Sequence, residues 1–200
     1  YTKDGQEVDL IFRDDNQEFL SDENYPKAID ANEAIRNKKV PLINPFSARV
    51  GGLKSVLGIM SDEIFQSLFT EEELDAFAKY IPWTRLVRDR ETKYKGETIN
   101  LKQFIIENKN NLVLKPNSGY GGFGVVIGPD ADEEEWKKTL NSALEPKNNF
   151  VVQEMVPFPK DRFPVLDENN NLKGFIEKNV NINFWAFDGI FGGAFLRASD

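Results

Sequence analysis

Apolar positions along the chain alternate between the two spacings that separate strands from helices. Val8–Arg13 (VDLIFR) predicts a buried strand, and Val40–Ile43 predicts a second, short one stopped by Asn44-Pro45. Between them, Pro26–Lys39 carries apolar residues at helical spacing and closes on a basic turn, which suits the negative end of a helix dipole. This strand–helix–strand succession predicts a parallel pair with a crossover helix. Leu53–Phe69 predicts a helix or helix pair, with Ser61-Asp62-Glu63 as a fresh start. Thr70-Glu71-Glu72-Glu73 is a capping box in front of Leu74, Phe77 and Ala78.

The second half switches mainly to the two-residue spacing. Thr84–Arg88 predicts a strand, Lys93–Gly96 a polar turn, and Leu101–Glu107 a short helix with Leu101, Phe104 and Ile105 on one face. Leu112–Lys115 and Val125–Ile127 predict strands on either side of a glycine loop. Asp132–Leu144 follows as an amphipathic helix, and Phe150–Val156 as another strand. Val165–Phe175 predicts a hairpin turning at Asn169-Asn170-Asn171. Val180–Phe187 and Gly193–Arg197 predict a second around Asp188-Gly189. The fold class expected is α+β, without internal repeat.

Between Leu112 and Ile127 lies the loop Gly119-Tyr120-Gly121-Gly122-Phe123-Gly124, which satisfies G-x-G-x-x-G. That pattern alone is weak, and its context decides. A dinucleotide-binding loop runs into a helix, whereas Val125-Val126-Ile127 is strand-like. A Walker A loop ends in Gly-Lys-Ser/Thr, which is absent. A kinase flap fits Gly119–Val126, but a kinase carries its lysine on the following strand, and here Lys115 precedes the loop. Four glycines in six residues exceed what a plain hairpin turn requires, at roughly 0.5–1 kcal/mol of ordering cost each. A flap over phosphates is the leading reading.

Composition narrows the chemistry. The chain has neither cysteine nor histidine, which removes disulfides, Cys/His zinc sites, thiol catalysis and Ser-His-Asp triads. Lys, Arg, Asp, Glu, Ser, Thr and Tyr remain, a set suited to charge-stabilised phosphoryl or acyl-phosphate chemistry. A net charge of −8, from 25 basic and 33 acidic residues, argues against general nucleic-acid binding. No apolar run approaches the roughly 18 residues of a membrane span, and no signal-like segment is seen, so the expected setting is cytoplasmic. The chain opens on Tyr1 without Met and is read as a piece of a longer protein.

Lys115 and Glu154 are candidates on their own chemistry and Arg197 is not chosen from chemistry alone; each has a plainer reading beside it. Lys115, on one strand face with Val113, is either a phosphate cation or a charge guarding an edge strand. Glu154 ends an apolar strand (Phe150–Val156) suited to adenine recognition; it holds the base or ribose, or is an exposed edge carboxylate. Arg197 ends the strand Gly193–Leu196 and is either a phosphoryl-binding fork or a surface arginine.

The ordered set, Leu-Lys-Pro before GYGGFG-VV, then Val-Val-Gln-Glu, then Gly192-Gly193 and Arg197, resembles circularly permuted ATP-grasp proteins. It is most similar to the group related to glutathionylspermidine synthase. The resemblance covers most of the chain; the Lys-Pro and glycine loop are its specific part. It implies that Lys54 and Lys115 are the ATP-phosphate lysines and that Gly119, Tyr120, Gly121, Gly122, Phe123 and Gly124 form the lid loop. It also implies that Gln153, Glu154, Met155 and Val156 form the adenine hinge, and that Arg197 is catalytic. The implied reaction activates a carboxylate as an acyl phosphate with ATP and Mg2+, after which an amine attacks. Arg13 and Asn44 are substrate-side candidates.

Two departures accompany the resemblance. No Asp…Glu-x-Asn magnesium set precedes Lys54: Asp14, Asp15 and Glu18 read as a solvated loop, so the metal ligands are expected outside this chain. The strand Asn181-Ile182-Asn183-Phe184 lacks the arginine some relatives have. The expected organisation is a Rossmann-like pre-ATP-grasp piece (1–53), a helical connection (54–110), a lid with glycine loop and hinge (111–156) and part of the large ATP-grasp subdomain (157–200). The function expected is the ATP-binding portion of a carboxylate–amine or peptide–amine ligase. Its partners would be ATP with small carboxylate and amine substrates or a peptide, and neither nucleic acid nor membrane. Alone, the chain is expected to bind ATP weakly or not at all and to be inactive. A non-catalytic nucleotide-binding module and a small-molecule phosphotransferase remain as alternatives.

Overall fold

The computed structural model describes residues 2, 4–13 and 25–199. Asp14, Asp15 and Glu18 lie outside the described residues. The chain divides into two compact units, Tyr1–Glu154 and Met155–Asp200. Among the described residues, no helix is long and apolar enough to cross a membrane.

The first unit opens with β1 (Ile11–Phe12), α1 (Tyr25–Arg36) and β2 (Leu42–Ile43). β1 and β2 pair in parallel, Ile11 opposite Leu42, as the strand–helix–strand succession predicts. The buried strand expected over Val8–Arg13 is corrected: two residues pair, and Phe12 is 65% exposed. Polar bonds hold this short ladder. Buried Arg13 donates through Nε to the Asn44 carbonyl at 2.7 Å and through Nη2 to the Pro45 carbonyl at 2.8 Å. The Asn44 side-chain amide donates back to the Arg13 carbonyl at 3.1 Å. Arg13 and Asn44 therefore clamp each other.

α2 (Ser55–Ser61) ends where Asp62 turns extended and caps a 3-10 turn over Glu63–Leu68, its carboxylate accepting from the Ile64 amide. α3 (Glu71–Tyr80) opens with the capping box: Thr70 accepts from the Glu73 amide, and the Glu73 carboxylate accepts from that of Thr70. β3 (Thr84–Leu86) follows. The polar turn at Lys93–Gly96 is the tip of a hairpin, β4 (Glu91–Tyr94) and β5 (Glu97–Asn100). α4 (Leu101–Glu107) is capped by Asn100. Then come β6 (Leu112–Pro116), β7 (Val126–Ile127), α5 (Glu133–Leu144), capped by Asp132, and β8 (Phe150–Glu154).

Four of these strands form an antiparallel sheet in the order β3-β8-β6-β7. β6 and β8 are thus interior strands; Glu154 has a strand partner on both sides, and Lys115 on the β8 side. Alternation gives the sheet two faces. Leu112, Leu114 and Val152 join Leu101 and Ile105 of α4 and Trp136 and Leu140 of α5 in one buried core. Each such side chain contributes roughly 1.5–3 kcal/mol by leaving water. The Trp136 indole N–H donates to the Ile105 carbonyl, so its polar edge is satisfied. The other face carries Val113, Lys115, Val151, Gln153 and Thr84, and α2 packs along β3 and β8.

The second unit is a three-stranded antiparallel sheet, β9 (Lys160–Leu166), β10 (Leu172–Phe187) and β11 (Ile190–Ser199), with β10 in the middle. The two expected hairpins share one sixteen-residue strand, because nothing between Phe175 and Val180 breaks it. The turns fall as predicted. Asn170 and Asp188 adopt left-handed φ, and the Asp167 carboxylate accepts from the Asn169 and Asn171 amides.

A buried ionic knot joins α2, β3 and β4. Arg85, 3% exposed, donates to the Ser61 carbonyl, the Thr92 hydroxyl and the Glu63 carboxylate, and Arg90 pairs with Asp62. Burial by itself pushes the Glu63 carboxyl up. Its own backbone amide, then the Arg85 guanidinium and the Thr92 hydroxyl, outweigh burial and hold it below the usual carboxylate range. The folded value lies below the unfolded one, so this stabilisation is complete above the ordinary glutamate range and is lost as pH falls through the depressed value. Glu63→Gln is expected to cost about 1–3 kcal/mol at neutral pH. The gap to the unmodified protein should narrow in acid; thermal unfolding at neutral pH and at about pH 3 checks both statements.

Candidate functional site

The glycine loop connects β6 to β7 across the end of the sheet. Gly119, Gly121, Gly122 and Gly124 have φ of 107°, 67°, 77° and 70°, a region that side chains with a Cβ rarely adopt. A Cβ on Gly124 would also sit 2.8 Å from the Pro116 ring. The backbone path thus requires its glycines. Tyr120 and Phe123 project outward, 76% and 88% exposed.

The start of the loop is tied to the start of α2. The Lys54 amide donates to the Asn117 carbonyl at 2.9 Å, and the Ser55 amide donates to Asn117 Oδ1 at 2.8 Å. Asn117 thereby caps a helix whose own N-cap side chain makes no capping bond. Its own amide donates to the Asn149 carbonyl, next to β8. This places Lys54 under the loop, where Nζ donates to the Gly119 carbonyl at 2.9 Å.

Lys115 lies on β6, the strand that leads into the same loop. It is half-buried, and its Nζ donates to Gln153 Oε1 at 2.6 Å. Burial, then the positive charge of Lys54, pull its pKa below the ordinary lysine value. Gln153 is buried, and its Nε2 donates to the Thr84 hydroxyl at 2.8 Å. The Thr84 hydroxyl donates to the Pro82 carbonyl.

The structure therefore brings Lys54, Lys115, Gly119 and Gln153 together. Alternation turns Glu154 to the opposite face, where the Tyr94 hydroxyl donates to its carboxylate at 2.9 Å and Lys95 lies 3.8 Å away. The Glu154 amide is used by the Trp83 carbonyl. Met155 and Val156 follow the end of β8 and begin the second unit. Arg197 belongs to that unit too, exposed on β11 opposite Asn181, its guanidinium 5.1 Å from the Phe195 ring centroid.

Three contributors escape a reading of the sequence. Asn117 carries a signal, since an Asn just before a glycine loop is a natural capping residue. Tyr94 belongs to a hairpin whose strands are too short and polar to predict. Thr84 carries no signal beyond being polar in a strand.

One ammonium group bonded to a left-handed glycine loop, with a second near enough to feel its charge, makes a cationic site suited to an anion with several oxygens. Among the described residues, no group of three or more Asp, Glu, His or Cys side chains is placed to hold a metal ion.

Comparisons with known proteins do not name a family. No family model matches the chain. It is 28% identical over 153 residues to the protein named "Putative glutamate--cysteine ligase 2-2" of Frankia casuarinae, a match covering 74% of this chain and 16% of that protein. It is 35% identical over 52 residues to an uncharacterized protein of Mycobacterium leprae, covering 26% of this chain and 9% of that one. The chain thus spans 16% of the length of the first relative. A crystal structure of D-alanine–D-alanine ligase from Bacillus anthracis overlaps 96% of this chain and 70% of its own, at 16% identity and a TM-score of 0.33, too slight an overlap to carry an argument.

The pairing of the two lysines is directly testable. Because the Lys54 charge helps pull Lys115 down, Lys54→Met is expected to move the Lys115 titration upward. NMR titration of the Lys115 side-chain signals reads this, and a fixed titration would separate the two charges.

Proposed function

We propose that the chain is the ATP-binding portion of an ATP-dependent carboxylate–amine ligase of the ATP-grasp type, akin to the circularly permuted glutathionylspermidine synthase group. The observation that supports this most is the Lys54 ammonium bonded to Gly119 of the glycine loop, with Lys115 on the strand that leads into that loop and within reach of the Lys54 charge. Residues 1–53 are read as its Rossmann-like piece, 54–110 as the helical connection, 111–156 as lid and hinge, and 157–200 as part of its large subdomain.

In this reading Lys54 and Lys115 hold the ATP phosphates under the loop. The side chain of Lys54 would exchange the Gly119 carbonyl for a phosphate oxygen. The backbone of Gln153 to Val156 serves as the hinge for the adenine, with Met155 and Val156 beyond the paired strand. Arg197 serves the transferring phosphoryl group. ATP supplies the phosphoryl group that makes a carboxylate into an acyl phosphate open to amine attack. The carboxylates for magnesium would come from another part of the parent protein. Small carboxylate and amine substrates, or a peptide, would be its partners, and its setting cytoplasmic.

A sign follows for pH. An anion favours the charged form of Lys115, so binding raises that pKa, and affinity falls as pH climbs through the lowered value. In the full-length protein, Lys115→Ala and Lys54→Ala are each expected to weaken Mg·ATP binding about tenfold or more. Isothermal titration measures this, and unchanged affinity for Lys115→Ala would remove the central lysine from the reading. ADP release that requires an amine acceptor separates a ligase from a phosphotransferase.

A further inference from the structure

Gln153 is 8% exposed and Thr84 fully buried, on the adjacent strands β8 and β3 of the sheet. Buried polar side chains are costly unless bonded, and here every bond has a direction. The Pro82 carbonyl can only accept, so the Thr84 hydroxyl spends its single proton there. That hydroxyl must then accept from Gln153, which fixes the Gln153 NH2 toward Thr84 at 2.8 Å. The amide oxygen is left facing the other way, 2.6 Å from Lys115 Nζ, which can only donate. The donor–acceptor logic permits one amide orientation, and it is the one seen.

The sheet register makes the relay possible. Thr84 lies directly opposite Gln153. The Thr84 amide and carbonyl both bond the Ser61 hydroxyl on the far side, so Thr84 and Gln153 form a non-hydrogen-bonded pair, the closer kind. Lys115 lies opposite Val151, two residues from Gln153 on the same face, a diagonal neighbour within reach of a long side chain.

We propose that Gln153, oriented by Thr84, is a positioning residue for Lys115: its neutral amide oxygen aims the ammonium at an incoming polyphosphate without cancelling its charge. This rests on the ATP reading and sharpens it. It commits the Gln153 side chain to the phosphate end of the site, so that side chain is not a contact to the base. A carboxylate at position 153 would hold the lysine equally well but neutralise it. An apolar side chain would leave a half-buried cation without its acceptor.

The test uses the full-length protein with two probes, inorganic tripolyphosphate and adenosine, and an NMR titration of Lys115 assigned by its loss in Lys115→Arg. Gln153→Met is expected to weaken tripolyphosphate binding about tenfold, leave adenosine binding unchanged, and move the Lys115 titration down. Gln153→Glu should also weaken tripolyphosphate binding but move that titration up. A merely structural role does not produce opposite shifts. Thr84→Val should reproduce the Gln153→Met effect in milder form, and Thr84→Ser, which keeps the hydroxyl, should restore it. A Lys115 titration indifferent to both Gln153 variants overturns the proposal, as does a parallel loss of adenosine binding. Loss of tripolyphosphate binding in Lys115→Ala with full binding in both Gln153 variants overturns it while leaving the ATP reading intact. If the unmodified protein binds neither tripolyphosphate nor ATP, the ATP reading fails, and the polyphosphate role of Gln153 fails with it.

Discussion

The structure of the first unit depends on the alternation of side chains across its antiparallel sheet. One face must be dry, because Leu112, Leu114 and Val152 are buried against α4 and α5. The period of two then sends Lys115 and Gln153 to the other face whether or not they have a function there. Polar groups on that face survive partial burial only by bonding one another, and Thr84 completes the set. The site is therefore a by-product of how the core is built, with chemistry assigned to the face opposite the α4–α5 core.

That arrangement also protects the register. Sliding β6 by one residue against β8 would turn Lys115 into the space filled by Trp136 and Leu140 and would turn Leu114 toward Gln153. An unpaired ammonium in an apolar interior is far costlier than the few contacts such a slip exchanges. A central strand that carries a lysine thus has one acceptable pairing, which an all-apolar strand would not.

Much of this was legible in the sequence, for identifiable reasons. The capping box, the helix start and the turns are local chemistry, so Thr70, Asp132, Asn170 and Asp188 could be read directly. The glycine loop announced itself through residues that pay in ordering cost for a left-handed path. What failed depends on partners distant in sequence. Val8–Arg13 reads as a buried strand, but the chain gives it a two-residue ladder held by Arg13. An edge position stayed open for β6 and β8 because strand order is not encoded locally. Asp62 and Glu63 read only as a helix start and Arg85 only as part of a strand, yet they meet as a buried knot. Lys54 drew its role from resemblance alone, and Thr84 had no signal, since its meaning lies in the hydroxyl it turns toward Gln153.

Asn117 has a consequence for what the glycine motif is by itself. It accepts from the helix start 62 residues earlier and donates to Asn149 on the strand side, while the Lys54–Gly119 contact spans 65 residues. Closing loops of that length is an entropic cost met only when the whole unit folds. A segment running from Leu112 to Ile127 would keep all its glycines and one lysine, yet would lack the second cation and the capping partner that fixes the loop's shoulder. The motif visible in the sequence is thus one half of a device; the other half is carried by a helix whose own sequence bears no mark of it.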